Sequence, residues 1–388
     1  VNTLAPACAP GTFTVAEAVE LATVDRSGFI ESRHAGSAIV IAHDGSVVRQ
    51  LGNPDAPIFP RSCLKPFQTV ALLSSGVELR GADAAIATAS HAGTPAHIAL
   101  VRGLLNRGKL DEDALKCPPD WPADQDSRNA LIRAGYSESP VFMCCSGKHA
   151  AMLLACQAND WPLDTYLDSH HPLHVRVREV VENFTEESVQ LTGIDGCGTP
   201  VYSMSLTALA RGIGRISSAP SRIGSLIKTH ARDLDAHAAH LVAAILANGW
   251  ALDGPGRANT AVIEQLGIVA KFGAEGLIVL STQEGASVAV KVLDGDGRAA
   301  TLIGLQLLVS TDILKQADVD PVLPSLGLAV FGGGVPVGAI RVSSAVGADC
   351  HRSTTHSPKS TTPSENRACC THNHDSQNRS SPNTQGTT

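Results

Sequence analysis

The chain has 388 residues, 43% of them hydrophobic and 17% charged, with a formal net charge of -7. That is enough apolar material for one large or two medium domains with a real core. The scattered basic residues leave no electrostatic footprint for nucleic acid, so a small polar substrate is the default partner. No apolar run reaches the length of a membrane span, and residues 1–12 lack the basic and apolar regions of a secretory signal, which reads as a cytoplasmic protein. The ten cysteines are unevenly placed, several in glycine-rich stretches, and point to thiolate ligands or buried thiols instead of a disulfide framework.

Residues 1–12 read as a disordered leader. Strand-like runs follow at 19–24, 37–42 and 47–51, the last two joined through Asp44-Gly45, a strong hairpin signal. At 59–68 the chain changes character: Ser62 stands three residues ahead of Lys65 at the mouth of a helix whose Phe67, Val70, Ala71, Leu72 and Leu73 recur at helical spacing. Positions i and i+3 share a face, so hydroxyl and amine can meet. A serine hydroxyl is a poor nucleophile until a neighbour removes its proton. A lysine, with a pKa of about 10.4 in water, can do so only if burial or a second cation lowers it. A second lysine must therefore be sought. Pro66 requires the helix to begin in this turn or to kink there.

Short helices are predicted at 83–90 and after Thr94-Pro95, which supplies an N-cap and a first-turn proline. A Pro- and Asp-rich connection over 117–126 leads to a helix ending at Gly135. Cys144-Cys145-Ser146-Gly147-Lys148-His149 forms a tight turn that opens the next helix. Helices over 172–184 and 233–250 flank a glycine-rich loop at 194–200. Strand character returns at 277–280 and 287–292, followed by a helix over 299–309 and a glycine-rich stretch, 331–338, leading to a last strand that ends near Val342. Strands at both ends around a helical middle give one α+β domain, residues 13–345, whose sheet joins distant parts of the chain. From 346 to 388 Ser, Thr, Asn, His and Pro dominate, which predicts a disordered tail. Cys369, Cys370, His372 and His374 lie together in it as a compositional metal-binding candidate.

Lys271, in Val269-Ala270-Lys271-Phe272-Gly273, supplies the second lysine. Ser-x-x-Lys at a helix start, then a serine, then Lys-x-Gly on an edge strand is the order of motifs in serine β-lactamases and penicillin-binding proteins. It can be written here as Ser62-x-x-Lys65, Ser90 and Lys271-x-Gly273, the glycine allowing close approach of a substrate to the backbone. A further group joins the Cys145 turn to Asp195-Gly196-Cys197-Gly198. With Lys148, His149 and Asp195 as neighbours, its two cysteines make either a soft-ligand zinc site or a pair of buried structural thiols.

Taken together, Arg61-Ser62-Cys63-Leu64-Lys65-Pro66, Ala89-Ser90-His91, Cys145-Ser146-Gly147-Lys148-His149, Asp195-Gly196-Cys197-Gly198-Thr199-Pro200, 270–276 and 333–338 resemble, in family order, the thermolabile, Rhizobium-type L-asparaginases of the L-asparaginase II family. The resemblance spans roughly residues 19–342. It implies a serine β-lactamase/glutaminase-like fold, mainly antiparallel sheet with flanking helices and a helical insertion, and hydrolysis of L-asparagine to aspartate and ammonia. It further implies Ser62 as nucleophile, Lys65 as its base, Ser90 with Lys271 as a second Ser-Lys pair, and Cys145, Lys148 and Cys197 as ligands of a zinc ion that assists substrate binding. A lysine ligand must be neutral, so such a site depends on pH. No organic cofactor and no membrane partner are expected, and a homodimer is implied. His91, His97 and His149 are expected to orient or pack, and oxidation of Cys63 or Cys144 to disable the enzyme. Two other readings share parts of the pattern: a penicillin-recognising or esterase-like serine hydrolase, and a non-catalytic amino-acid or zinc-binding protein.

Overall fold

The computed structural model describes residues 11–223 and 231–347. Residues 1–10 of the expected leader (1–12) and 348–388 of the expected tail (346–388), with its Cys and His group, lie outside the described residues. Contrary to the expected disorder, residues 346 and 347 belong to the helix Ser344–Gly347, where Val346 is buried. Twelve strands are described: β1 Val19–Arg26, β2 Phe29–Ile41, β3 Val47–Leu51, β4 Pro57–Ile58, β5 Thr192–Ile194, β6 Pro200–Tyr202, β7 Met204–Ser205, β8 Val269–Gly273, β9 Leu277–Ser281, β10 Ser287–Val292, β11 Ala329–Gly332 and β12 Val335–Val342. The main sheet runs β11-β12-β1-β2-β10-β9-β8, with β3 also on β2, and its pairings are antiparallel. The first strands therefore pair with the last ones. The segment between β3 and β8 is the helical insertion, which carries two small two-stranded sheets, β4-β7 and β5-β6.

Helices α1 Lys65–Ser74, α2 Ala82–Thr88, α3 Pro95–Arg107, α4 Gln125–Arg133, α5 Ser146–Ala158, α6 Pro172–Thr185, α7 Leu206–Ser217, α8 Ala219–Arg222, α9 Ala231–Ala247, α10 Gly249–Leu252 and α11 Ala258–Leu266 fill the insertion; α12 Ala300–Ser310, α13 Gln316–Val319 and α14 Ser344–Gly347 follow the sheet's far edge. This is the expected α+β layout of antiparallel sheet, flanking helices and helical insertion. No helix among the described residues is long and apolar enough to cross a membrane.

The organising element is α1, buried from Lys65 through Leu73. A helix apolar nearly all round must be covered on every side, and α2, α5, α6 and α9 pack against it. Each fully buried Leu, Val or Phe in it contributes about 1.5–3 kcal/mol of transfer free energy. In the same way β9 and β10 are buried along their whole length. Both faces of a strand are then covered, and α7 and α12 are the helices packed on them.

The structure lengthens some of the expected elements. β2 begins at Phe29, eight residues before the run read from sequence, because Glu31-Ser32-Arg33 lies in its exposed part and breaks the apolar signal. The expected 233–250 helix is two helices, interrupted at Asn248. The glycine-rich stretch at 331–338 is the turn and one arm of the β11–β12 hairpin.

Gly147, in the first turn of α5, lies so close to α2 that a Cβ there would meet the Ile86 carbonyl oxygen at 2.5 Å and its side chain at 2.7 Å. Overpacking of this kind costs about 1–3 kcal/mol. Gly147→Ala should therefore lower the urea unfolding midpoint, and since α5 and α2 carry parts of the same site, activity should fall at temperatures where the variant is still folded. An unchanged midpoint would show that the two helices separate freely.

Candidate active site

The Ser62 turn is built against resistance. Residues Arg61–Leu64 form a 3-10 turn that runs directly into α1, and Arg61 has a φ of 50°. A left-handed conformation costs a non-glycine residue about 1–2 kcal/mol. Arg61 is held there by its Nε, which donates to Asp195 Oδ1 at 2.6 Å. Pro66 falls in the first turn of α1, where a missing N–H costs nothing, so the helix starts here without a kink. Behind the turn, the Cys63 thiol donates to the Lys271 carbonyl at 3.1 Å. A Cβ on Gly273 would stand 2.7 Å from the Pro60 carbonyl oxygen. The glycine of Lys-x-Gly is thus required by the approach of the Ser62 turn to β8, an edge strand of the main sheet.

Lys65 and Lys271 are each 1% exposed, and both reach Ser90. Lys65 Nζ lies 2.9 Å from Ser90 Oγ and also donates to the Ala89 carbonyl. Lys271 Nζ lies 2.8 Å from Ser90 Oγ and 2.9 Å from the Phe272 carbonyl. Burial, then the nearby Lys65 charge, lowers the pKa of Lys271 to about 8. If Lys65 donates to Ser90, the serine's own proton has Lys271 as its acceptor, which requires a neutral amine there. Ser62 is partly buried, and among the described residues its hydroxyl makes no hydrogen bond. The contact expected between Ser62 and Lys65 is therefore not made: in a 3-10 turn their side chains leave on the same side, but the longer one extends past to Ser90.

Ser90 is fixed by its surroundings. Its N–H donates to the Leu252 carbonyl at 2.9 Å, Ala92 N–H to the Asp253 carbonyl at 2.7 Å, and His91 N–H to the Cys144 carbonyl at 3.1 Å. Ser146 Oγ donates to the Val141 carbonyl at 2.8 Å, so at 2.9 Å it is an acceptor for His91 Nε2. Burial, then His97, holds the pKa of His91 well below the usual value, and its ring stacks on His97 at 5.3 Å. Both rings orient the loop and stay neutral.

The second cluster is carried by the start of α5 and by the loop between β5 and β6. Cys145, Lys148 and Cys197 are buried. Lys148 Nζ lies 3.0 Å from Cys197 Sγ and 2.8 Å from Thr199 Oγ1. Burial pulls the Lys148 pKa down, but Cys197 and Cys145 outweigh it, and the net displacement is upward. His149 is buried beside Cys197: Nδ1 lies 2.8 Å from the Tyr166 hydroxyl, and Nε2 has no hydrogen-bond partner. Two thiols, an amine and an unpartnered imidazole nitrogen are donors suited to a soft divalent ion, provided Lys148 gives up its proton. Among the described residues no three His, Cys, Asp or Glu side chains are arranged as a metal site.

The two neighbouring thiols differ. Burial raises Cys63 to a pKa of about 12. The hydrogen bond from Cys145 lowers Cys144 to about 6, against burial and with help from Lys65 and Lys271. Sequence reading passed over the 252–259 loop, which docks on Ser90. Its signal was Gly254-Pro255-Gly256, a turn followed by Arg257 and Asn259 at a helix start.

A model of the L-asparaginase II family matches residues 22–342. Among solved structures, the chain resembles Mglu in its native form, with 11% identity and a TM-score of 0.41 over 74% of this chain and 66% of that one. It also resembles Mglu in its glutamate form, with 11% identity and a TM-score of 0.39 over 72% and 61%. A probable glutaminase from Bacillus subtilis, complexed with 6-diazo-5-oxo-L-norleucine, matches with 12% identity and a TM-score of 0.35 over 72% and 82%. The chain spans less than two thirds of the length of the two Mglu structures. No curated protein matches it. With the family match running from β1 to the end of β12 and taking in every residue of both clusters, the chain belongs to the L-asparaginase II family.

Proposed function

We propose that the chain is an amidohydrolase that converts L-asparagine to L-aspartate and ammonia through an ester on Ser62. The observation that carries this reading is the buried chain Lys65–Ser90–Lys271 beside the Ser62 turn, and membership of the L-asparaginase II family supports it. Ser62 Oγ attacks the side-chain amide carbon, and its proton passes to neutral Lys65, whose amine must first turn from Ser90 towards Ser62. The C–N bond breaks as Lys65 returns that proton to the leaving nitrogen, giving ammonia and a β-aspartyl ester. Water then adds to the ester, its proton goes to Ser62 Oγ, and aspartate departs. Proton transfer by a positioned base contributes typically about 10²–10⁴-fold. Lys271, joined to Lys65 through Ser90, is placed to accept the proton that would otherwise keep Lys65 charged.

A zinc ion at Cys145, Lys148 and Cys197 would supply a positive centre for a polar group of the substrate. Asp195, bonded to Arg61, ties that cluster to the nucleophile turn. The proposal extends to a cytoplasmic protein and to the homodimer that the family resemblance implies.

Ser62→Ala should reduce ammonia release from L-asparagine by at least about 10³-fold with an unchanged circular-dichroism melt; near-normal release would remove Ser62 from the mechanism. The same assay with L-glutamine and a chromogenic β-lactam separates this reading from a penicillin-recognising one.

The base works only when Lys271 is neutral, and that fraction grows tenfold per pH unit until its pKa of about 8. A plot of log kcat/KM against pH should therefore rise with unit slope and level off near pH 8. A flat profile from pH 6 to 9 would sink the relay.

Cys197→Ser should lower zinc retained after dialysis and raise KM more than it lowers kcat. Equal metal content in both proteins would remove the zinc assignment.

A further inference from the structure

The loop after α10 takes the N–H groups of Ser90 and Ala92 on the carbonyls of Leu252 and Asp253. One side chain holds that loop in turn. The buried Asp253 carboxylate accepts from Arg257 Nε at 2.5 Å and from the Asn259 N–H at 3.3 Å. Arg257 is the N-cap residue of α11 and Asn259 lies in its first turn. Asp253 therefore joins the Ser90 loop, through its backbone, to α11, through its side chain. The fit is close: a Cβ on Gly254 would stand 3.1 Å from Ala92 Cβ.

Asp253 also brings a charge. It lines one cavity with the Phe272 ring, and that ring lies 4.6 Å from Lys271 Nζ. Burial, then the Lys65 charge, lowers the Lys271 pKa, while Cys63, Asp253 and Cys145 act against them. Cys63 is pushed up to about 12 by burial, so its thiol is uncharged where Lys271 titrates. Of the other groups around Lys271, Arg61 on the Ser62 turn is paired with Asp195, and Cys144 and Cys145 stand at the start of α5. β9 carries no ionisable side chain, and Glu264 of α11 is exposed. On α9, Asp235 is engaged by Arg222, His237 by Asp233, and His240 by the Leu79 carbonyl. Asp253 is thus the carboxylate that faces the two amines, and its own partner, Arg257, is 41% exposed on the outer side.

We propose that Asp253 is a positioning residue of the reaction: its backbone holds the Ser90 loop between the two lysines, and its carboxylate is the counter-charge for the proton that the Lys65–Ser90–Lys271 chain retains. This rests on the amidohydrolase reading of that chain. An anion nearby favours a charged amine and a cation disfavours it. Loss of Asp253 should then make Lys271 give up its proton at lower pH, and loss of Arg257 at higher pH.

The test reads Lys271 directly. In the full chain with ¹³C-labelled lysine, the Lys271 resonance is identified by its absence from Lys271→Gln and titrated by NMR. Asp253→Asn should move that titration down by about half a pH unit or more, and the plateau in log kcat/KM for ammonia release should move down with it. Arg257→Gln should move both up, and Asp253→Glu, which keeps the charge, should leave both near the wild-type position. A clamp without an electrostatic role lowers activity in the variants and leaves the titration where it was. If Asp253→Asn does not fold, Arg257→Gln, at a partly exposed side chain, decides alone. An unmoved titration, or shifts in the same direction for Asp253→Asn and Arg257→Gln, overturns the proposal. Wild-type protein that releases no ammonia from L-asparagine, with the opposite shifts present, overturns the asparaginase reading and leaves the hold of Asp253 on Lys271 standing.

Discussion

Two buried amines sharing one serine oxygen set the terms for this molecule. Ammonium groups this close, away from water, repel by several kcal/mol at the effective dielectric of a protein interior, and each loses its hydration as well. The arrangement is tolerable only if one amine is neutral and the N–H groups find acceptors. The backbone supplies those acceptors at Ala89 and Phe272. Three segments far apart in sequence must therefore meet at Ser90: the start of α1, the residues after α2, and β8. The burial of α1 on all sides, the Gly273 contact with the Ser62 turn and the docking of the 252–254 loop serve that meeting.

The two clusters are not independent pieces of chemistry placed side by side. Arg61, held in a left-handed conformation one residue before Ser62, is bonded to Asp195, two residues before Cys197. On the other side His91, next to Ser90, is bonded to Ser146, next to Cys145. Each end of the Ser-Lys chain is thus tied by one polar contact to one end of the thiol pair. Displacement of the β5–β6 loop would be felt at Ser62 through a single carboxylate.

Much of this was legible in the residues. Ser62, Lys65, Ser90 and Lys271 stood in an order with chemical meaning, and the high pKa of an ordinary lysine called for a second cation, which the structure places with Lys65 on Ser90. Cys145, Lys148 and Cys197 were legible as a group because they sit in glycine-rich turns. What could not be read was the direction of side chains across the fold. Nothing in Ser-x-x-Lys says that the lysine passes its own serine to reach another one 25 residues later in the chain. The polar start of β2 hid a strand, because a solvent-facing antiparallel ribbon need not alternate.

The pairing of the first strands with the last ones bears on how the protein comes into being. β1 lies between β2 and β12, and β2 in turn pairs with β10. During synthesis Ser62, its helix and the whole helical insertion emerge before Lys271, and the sheet cannot be completed until residue 342 has left the ribosome. Long-range pairing of this kind carries a loop-closure cost and slows folding. An incomplete chain holds Ser62 and Lys65 without Lys271, the third member of the proposed relay. Under the proposed mechanism, hydrolytic competence is withheld until the last strand of the sheet is in place, and truncation near the C-terminal strands removes that competence and the sheet together.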